Sequence, residues 1–301
     1  MPSRDVALIG APSSAGAYAI GQEDAPRVLR ELGLVDRLAA AGCRVRDAGD
    51  SPVVRWRPDR EHPRAQNVAA VVSTARAVQE GVCAALGRGE LALVLGGDCT
   101  VGIGTVAGAV AAGADPGLVY LDMHADLNTP TSVADGALDW MGVAHMLALE
   151  DTAPELRHVG PRTPLLQPSQ IVVVGHEESQ ATRWERETVA RLGVRTVPAA
   201  ELRADARVAG TTALATLAQW DPILLHLDID VVDFVDAPLS ENTGRNVGVG
   251  LATALDTAAA VLSCGRVSAV TLTELNPAHA SADPGAVERL VDGLVAAIVA
   301  A

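Results

Sequence analysis

The chain has 301 residues, of which 49% are hydrophobic and only 2% aromatic, and its formal net charge at neutral pH is -14. This length and apolar content allow a large buried core, and no linker divides the chain, so we expect a single domain over residues 1–301. The acidic balance argues against a nucleic-acid partner and favours a cationic small molecule. The four scattered cysteines and the short apolar runs predict a reduced, cytoplasmic protein that does not contact a membrane.

Short apolar runs alternate with helix-type segments along the whole chain. The predicted strands cover residues 6–9, 44–47, 91–95, 118–122, 171–174, 194–197, 223–228 and 267–272. The predicted helices cover residues 25–41, 65–86, 140–149, 181–192, 211–217, 251–262 and 284–299. This alternation predicts a three-layer α/β/α fold around an eight-stranded, mostly parallel sheet with right-handed crossovers.

The strand interiors are continuous hydrophobic runs, which is typical of a sheet covered by helices on both faces. Polar residues follow where these runs end. In open α/β sheets, ligands bind beyond the carboxyl ends of the strands, so we expect the chemistry there. The long irregular stretches at 51–63, 128–138 and 233–248 are also candidates for functional loops.

Two acidic clusters follow the fourth and seventh strands. The stretch LDMHADLNTP places Asp122, His124 and Asp126 at alternate positions, and HLDIDVVDF places Asp228 and Asp230 in the same relation. Residues two apart in extended backbone point the same way, so each cluster can converge on a common point. The two clusters therefore predict five ligands gathered at adjacent strand ends.

Carboxylates packed this densely repel one another and raise each other's pKa unless a cation lies among them. Two divalent ions resolve that conflict. Oxygen-rich donors with one imidazole suit Mn²⁺, and Fe²⁺, Co²⁺ or Ni²⁺ fit the same geometry. Two ions about 3.5 to 4 Å apart can also activate water as a nucleophile near neutral pH.

Four motifs in a fixed order give the chain a family resemblance. GGDC, DMHAD, LDID and TELNP, which run from the third strand to the eighth, resemble the motifs of the ureohydrolase family, which includes arginase, agmatinase and formimidoylglutamase. The early segment GQEDAPRVLRELGL supports the resemblance, which covers nearly the whole chain. It implies a binuclear metal-dependent hydrolase that acts on a guanidino or amidino compound and releases urea, or an analogue such as hydroxyurea, and an amine. It also implies a homo-oligomer, a trimer or a hexamer.

The resemblance implies a role for each acidic cluster. Asp122 and Asp228 would bridge both metal ions, Asp126 would complete one site, and His124 with Asp230 would complete the other. Two Mn²⁺ ions are the expected cofactor.

Cys99 stands where the family has the histidine of a GGDH motif. A thiolate is a softer ligand than an imidazole, so Cys99 could still hold metal while shifting the preference toward Co²⁺, Ni²⁺, Fe²⁺ or Zn²⁺. Two alternatives stay open at this stage. Cys99 could be a small buried residue that leaves one site weak, or it could be a nucleophile that attacks the guanidine.

Glu274, Asn128 and Asp139 are predicted to bind the substrate. The predicted catalytic residues are Asp126, Asp139 and Glu274. Glu274 matches the family's carboxylate that grips the guanidinium, although it could instead cap the turn that follows it. Asn128 matches a residue that helps arginases to read the α-carboxylate of the substrate, although asparagine is also common in turns. Asp139 falls where arginases carry a proton-moving histidine, and it could donate a proton, bind the substrate, or cap the helix at 140–149.

Two histidines lie close to these motifs. His226 shares the face of its strand with Asp228, which predicts a contact behind the metal ligands. His145 lies on the helix that follows Asp139, and we expect it to pack in the core.

The substitutions at Cys99 and Asp139 argue against L-arginine as the substrate and favour a modified guanidine, such as an N-hydroxylated arginine. A non-catalytic, metal-stabilised scaffold and a cysteine-dependent guanidine hydrolase are the competing hypotheses. The glycine-rich stretches GAPSSAG and GIGTVAG match neither of the common nucleotide-binding patterns.

Overall fold

A computed structural model describes residues 4–244 and 246–300, which form one sheet of eight strands flanked by eleven α-helices. The strands are β1 (Asp5–Gly10), β2 (Arg44–Asp50), β3 (Leu91–Leu95), β4 (Gly117–Leu121), β5 (Ile171–His176), β6 (Arg195–Pro198), β7 (Ile223–Asp228) and β8 (Val267–Thr273). Their order across the sheet is β2-β1-β3-β8-β7-β4-β5-β6, and all of these neighbours pair in parallel. The predicted eight-stranded sheet is therefore confirmed.

The helices cover both faces of this sheet. They are α1 (Ala25–Glu31), α2 (Leu34–Ala40), α3 (Val68–Leu86), α4 (Val101–Ala111), α5 (Gly142–Met146), α6 (Pro154–Arg157), α7 (Arg183–Leu192), α8 (Ala199–Ala204), α9 (Ala206–Thr216), α10 (Leu251–Leu262) and α11 (Ala286–Val299). Leu93 and Leu95 of β3 pack in one hydrophobic cluster, and Ala92 and Val94 pack in the other. Because successive side chains of a strand point to opposite faces, the sheet is the middle of three layers.

Several predicted helix boundaries are wrong. The helix expected at 25–41 is two helices, since Gly33 has a φ of 79° and interrupts it between α1 and α2. The helix expected at 140–149 is only a 3₁₀ turn followed by the short α5. The helices α4, α6 and α8 were not predicted, and α9 begins five residues earlier than the expected 211.

The GIGTVAG stretch proves to be a helix-packing surface within α4. A Cβ added to Gly104 would lie 2.5 Å from the backbone oxygen of Ala75 in α3. A Cβ added to Gly108 would lie 2.7 Å from the Cβ of Val82. The glycines let two helix backbones approach closely, at the cost of helix propensity.

The stretches at 51–63, 128–138 and 233–248 lack regular strands and helices, apart from isolated bridges at Val54 and Ser240. Residue 245 of the last stretch lies outside the described residues. Within the part of the chain that the structure describes, no helix combines the length and apolar content that crossing a membrane requires.

We predict that Gly104→Val lowers the free energy of unfolding by about 1–3 kcal/mol, because the added side chain overpacks the α3–α4 contact. Chemical denaturation followed by circular dichroism measures the change. Ala111→Val is the matched control, since Ala111 is exposed on the same helix and should lose no more than about 0.7 kcal/mol through helix propensity. Equal losses in the two variants would contradict the packing role.

Candidate metal centre and substrate pocket

The carboxyl ends of four adjacent strands bring the predicted ligands together. In the sheet order these strands are β3, β8, β7 and β4. Cys99 lies in the loop after β3, Asp228 ends β7, and Asp122 directly follows β4. Glu274 follows β8, between them. Residues separated by more than 150 positions in the chain thus face one another at one edge of the sheet.

Cys99 is 2% exposed, and its sulfur points at the carboxylate of Asp228. The distance from Cys99 Sγ to Asp228 Oδ2 is 2.7 Å. The same sulfur lies 3.2 Å from Thr273 Oγ1 and 3.4 Å from His226 Nε2.

The other end of the cluster joins His124 to two carboxylates. Its Nδ1 lies 3.0 Å from Asp230 Oδ2 and 3.4 Å from Asp122 Oδ1. Asp122 Oδ1 also accepts the backbone N–H of His124, and Asp228 Oδ1 accepts that of Asp230. The residues converge although the backbone is not extended as expected, since Asp230 lies in a 3₁₀ turn and the loop after β4 bends.

The six predicted ligands are all buried, and their donor atoms, together with one from His226, form three overlapping groups. Within each group the atoms lie within 4.8 Å of one another: Cys99 with Asp122 and Asp126, Asp122 with His124 and Asp230, and Cys99 with His226 and Asp228. Asp122 Oδ2 is buried and has no hydrogen-bond partner among the described residues. This donor set fits a pair of divalent cations that share Asp122.

The electrostatics of the cluster support that fit. Burial, followed by the charges of Asp230 and Asp126, raises the pKa of Asp122 well above its usual range. Burial and the charges of Asp230 and Asp122 do the same to the pKa of Asp228. Burial and the nearby carboxylates, Asp228 first, also raise the pKa of the Cys99 thiol. A cation would reverse these shifts, because it favours the ionised forms.

Asp126 is held in place by an aromatic hydroxyl and by a remote helix. Its backbone has a φ of 51°, and its Oδ2 accepts a hydrogen bond of 2.5 Å from Tyr120 Oη. The backbone N–H groups on either side, those of Ala125 and Leu127, both donate to Glu185 Oε1 of α7. The loop after β4 is thus held in place by a buried carboxylate 60 residues further along the chain.

Glu274 also adopts a left-handed backbone conformation, with a φ of 62°. Its Oε1 accepts the backbone N–H of Cys99 at 2.9 Å, and its Oε2 accepts a short hydrogen bond from Gln22 Nε2. Burial, followed by the charge of Asp228, raises its pKa well above the usual range. The side chain therefore faces the cluster of predicted ligands and does not cap the turn that follows it.

Asp139 lines the same cavity but is only partly buried. Its Oδ1 accepts the backbone N–H of Trp140, and its own N–H donates to Gly16 O at 3.0 Å. Burial and the charge of Asp98 raise the pKa of Asp139 well above its usual range. The alternative role as a helix cap is wrong, because α5 begins only at Gly142 and has no side-chain cap.

Two residues near these motifs lie away from the cavity. Asn128 is fully buried, and its Oδ1 accepts a hydrogen bond of 2.7 Å from Thr182, so the structure does not bring it to the described cavity lining. His145 packs in the core as expected, with Nδ1 2.7 Å from Met141 O and Nε2 accepting the N–H of Ala153. Burial lowers the pKa of His145 to about 4.

A cavity of about 250 Å³ opens above the cluster. Its described lining includes six carboxylates and no arginine: Asp126, Asp135, Asp139, Asp228, Asp230 and Glu274. Tyr18, Trp140 and Asn242 form part of its wall. The lining is therefore complementary to a small cation.

Four contacting residues were not predicted from the sequence. Gln22 lies inside the GQEDAPR segment, which suggested a family but no role for the amide. Tyr120 lies one residue before the end of the apolar strand β4, where a single polar residue gives little signal, and Thr273 begins the TELNP motif, which suggested a family but no role for this hydroxyl. Glu185 completes the T-x-x-E pattern of a helix N-terminus with Thr182, which predicts a cap instead of a loop anchor.

Comparison with known proteins gives consistent matches. The family model described as Arginase family matches residues 4–299. Non-hepatic arginase 2 of Xenopus laevis is 30% identical over 93% of this chain and 78% of that protein. Arginase-1 of Homo sapiens is 29% identical over 99% of this chain and 92% of that protein. The solved arginase of Bacillus subtilis shares the fold, with a TM-score of 0.85 and 24% identity over 99% of this chain and 98% of that one.

We predict that Mn²⁺ raises the unfolding temperature and that the rise is larger at about pH 8 than at about pH 6. The raised pKa values of Asp122 and Asp228 mean that the folded, metal-free protein binds protons that the unfolded chain releases. Its stability therefore falls as pH rises through those raised values, and protons compete with the metal. Each proton displaced adds about 1.4 kcal/mol of metal-linked stability per pH unit at saturation.

Differential scanning calorimetry of chelated and metal-loaded protein measures this effect. Asp228→Asn should reduce the Mn²⁺-induced rise, whereas Asp256→Asn, at an exposed position of α10, should preserve it. A rise that is independent of pH, or insensitive to Asp228→Asn, would count against the metal centre.

Proposed function

Because the chain belongs to the arginase family, whose members are metal-dependent amidinohydrolases that act on C–N bonds, we propose that it hydrolyses a guanidino compound. One observation carries the proposal. Four adjacent strand ends bring together Glu274 and buried side chains that could hold metal, beneath a cavity whose described lining is acidic and contains no arginine. A planar guanidinium matches that lining in charge and size.

The residues that would hold two divalent ions are those of the cluster: Cys99, Asp122, His124, Asp126, Asp228 and Asp230. Bound there, such ions supply Lewis acidity and a nucleophile derived from water. Mn²⁺ suits the oxygen-rich end formed by Asp122, His124 and Asp230. The sulfur of Cys99 makes the other end more suitable for Co²⁺, Ni²⁺, Fe²⁺ or Zn²⁺.

Glu274 binds and orients the guanidinium. Each of its carboxylate oxygens accepts one hydrogen bond from the protein, from Cys99 N and Gln22 Nε2 respectively. A carboxylate has about four acceptor positions, so each oxygen can still accept an N–H of the substrate. The cationic substrate in turn favours the ionised form of Glu274, against the effect of burial.

Asp139 holds the proton that the departing amine needs. The reaction adds water to the guanidine carbon and breaks one C–N bond, so the leaving nitrogen must gain a proton. The raised pKa of Asp139 keeps its carboxyl protonated at a higher pH than an exposed aspartate, which suits a general acid. Its Oδ1 is engaged by Trp140 N, which leaves Oδ2 to face the substrate.

The finer proposal concerns the substrate and the assembly. Cys99 and Asp139 replace two family histidines, and we propose a modified guanidine, with N-hydroxylated arginine the first to be tested. The Asp139 carboxyl, whose Oδ2 is not engaged by Trp140, would form a hydrogen bond with the added hydroxyl. We also propose a cytoplasmic homo-oligomer, a trimer or hexamer, on the family resemblance.

A product-release screen tests the function. Chelated protein reloaded with Mn²⁺, Co²⁺, Ni²⁺ or Zn²⁺ should release urea or hydroxyurea from guanidino acids, guanidino amines or their N-hydroxylated forms, and chelation should abolish the release. Glu274→Gln should bind metal but lose turnover, whereas Asp256→Asn should retain it. No product from any compound with both sites loaded would favour a scaffold. Activity that survives chelation would favour a cysteine nucleophile.

We predict that Gln22→Leu weakens the binding of the guanidinium ion, which serves as a small substitute for the substrate, by about 10- to 100-fold. The hydrogen bond that it removes orients a charged group, and such bonds contribute about 1.5–3 kcal/mol. Isothermal titration of the metal-loaded protein measures the change. Metal content should stay constant, and Gln79→Leu on α3 should bind guanidinium like the wild type. Unchanged binding in Gln22→Leu would show that Gln22 does not position Glu274.

A further inference from the structure

On its inner side, the sulfur of Cys99 contacts a threonine hydroxyl and a histidine nitrogen. Thr273 Oγ1 lies 3.2 Å and His226 Nε2 3.4 Å from Sγ, and these two atoms lie 3.0 Å from each other. His226 is 1% exposed, so no solvent competes for these contacts. The three side chains come from β7, β8 and the loop after β3, and together they form a closed triangle of polar atoms.

The surroundings of the His226 ring determine which nitrogen carries its proton. Nδ1 is buried and has no hydrogen-bond partner in the described part of the chain. It packs over α4, where a Cβ on Gly102 would lie only 2.7 Å away. A proton on Nδ1 would be an orphaned buried donor, which is costly, whereas a proton on Nε2 has Thr273 Oγ1 and Cys99 Sγ as acceptors. The neutral ring therefore presents Nε2–H toward Thr273 Oγ1, which is the nearer acceptor, and toward the sulfur.

Nδ1 of His226, which lacks a hydrogen-bond partner within residues 4–244 and 246–300, also indicates that the ring is a hydrogen-bond donor and not a metal ligand. A histidine that binds metal through one nitrogen nearly always donates its other N–H to an acceptor. His226 Nδ1 faces no such acceptor among the described residues. The position of His226 therefore suits an outer contact to a ligand better than direct metal binding.

A stacking contact fixes the ring in this orientation. His226 stacks on Tyr120 with ring centroids 4.2 Å apart and an interplanar angle of 11°. Tyr120 in turn donates to Asp126 Oδ2. One rigid chain of contacts thus connects Cys99, through His226 and Tyr120, to Asp126.

We propose that His226 is a positioning residue that donates to the sulfur of Cys99, jointly with Thr273, and so enables a thiolate to serve as a metal ligand at this position. The inference rests on the proposed metal centre, since it requires Cys99 to bind metal. A cysteine side chain is shorter than the histidine of the family motif, and the His226 ring packs behind it. A donor on the inner side leaves the outer side of the sulfur directed at Asp228, where it could bind a metal ion.

The test uses the full chain loaded with Co²⁺, whose bonds to thiolate give a charge-transfer absorption in the near ultraviolet. The wild type should show this band, and Cys99→Ala should lack it. His226→Phe, which keeps the stacking but removes the donor, should shift or weaken the band and lower Co²⁺ affinity by about 10- to 100-fold. His226→Gln, whose amide N–H reaches the position of Nε2, should restore most of both. Thr271→Val, at a buried hydroxyl on β8 that bonds to Thr105, should match the wild type.

Each outcome separates the two proposals. A wild type that binds no Co²⁺ overturns the proposed metal centre itself. A wild type that binds Co²⁺ without a thiolate band, or a His226→Phe variant with unchanged band and affinity, overturns only the role of His226. Loss of affinity in both His226→Phe and His226→Gln also overturns it, because the ring would then be a ligand and not a donor. Thermal unfolding of the metal-free variants identifies any that fail to fold. If His226→Phe fails to fold, His226→Gln still tests the inference.

Discussion

Buried carboxylates at one edge of a sheet cannot all carry charge unless a cation lies among them. Asp122, Asp126 and Asp228 are at most 2% exposed, and burial raises the pKa of each well above its usual range. Such an arrangement destabilises a protein by itself. A bound metal ion would offset that destabilisation by neutralising the carboxylates. The surrounding loops are arranged so that the carboxylates meet at one place.

Those loops are rigid because other buried carboxylates bind their backbone. Glu185 accepts two N–H groups of the loop after β4, and Asp98 accepts the N–H groups of Gly16 and Thr100. A Cβ on Gly97 would lie 1.8 Å from Ser13 O. Only glycine at position 97 therefore allows the loop after β3 to touch the loop after β1. The site is thus pre-organised by contacts that never reach the substrate.

The sequence predicts what depends on spacing within one short stretch and less of what depends on contacts across the sheet. The alternate spacing places Asp122, His124 and Asp126 at one site, although the backbone after β4 is not extended and Asp126 has a φ of 51°. Continuous apolar runs indicate the covered sheet. The helix α4 was missed because its glycines lower helix propensity, and only the facing α3 explains them. The roles of Gln22 and Tyr120 depend on partners elsewhere in the fold. Asn128 is likewise held by Thr182, away from the described cavity lining. No local pattern encodes those contacts.

The last strand in the chain, β8, occupies an inner position of the sheet, between β3 and β7. During synthesis, a chain that has not yet reached residue 267 therefore holds two part-sheets whose facing edges have unpaired backbone groups. Such edges are sites for pairing with other chains, and non-local pairing of this kind is slow to form. A prematurely terminated product would consequently lack both Glu274 and the strand that joins the halves, which makes it a target for aggregation and proteolysis and not a partly active enzyme.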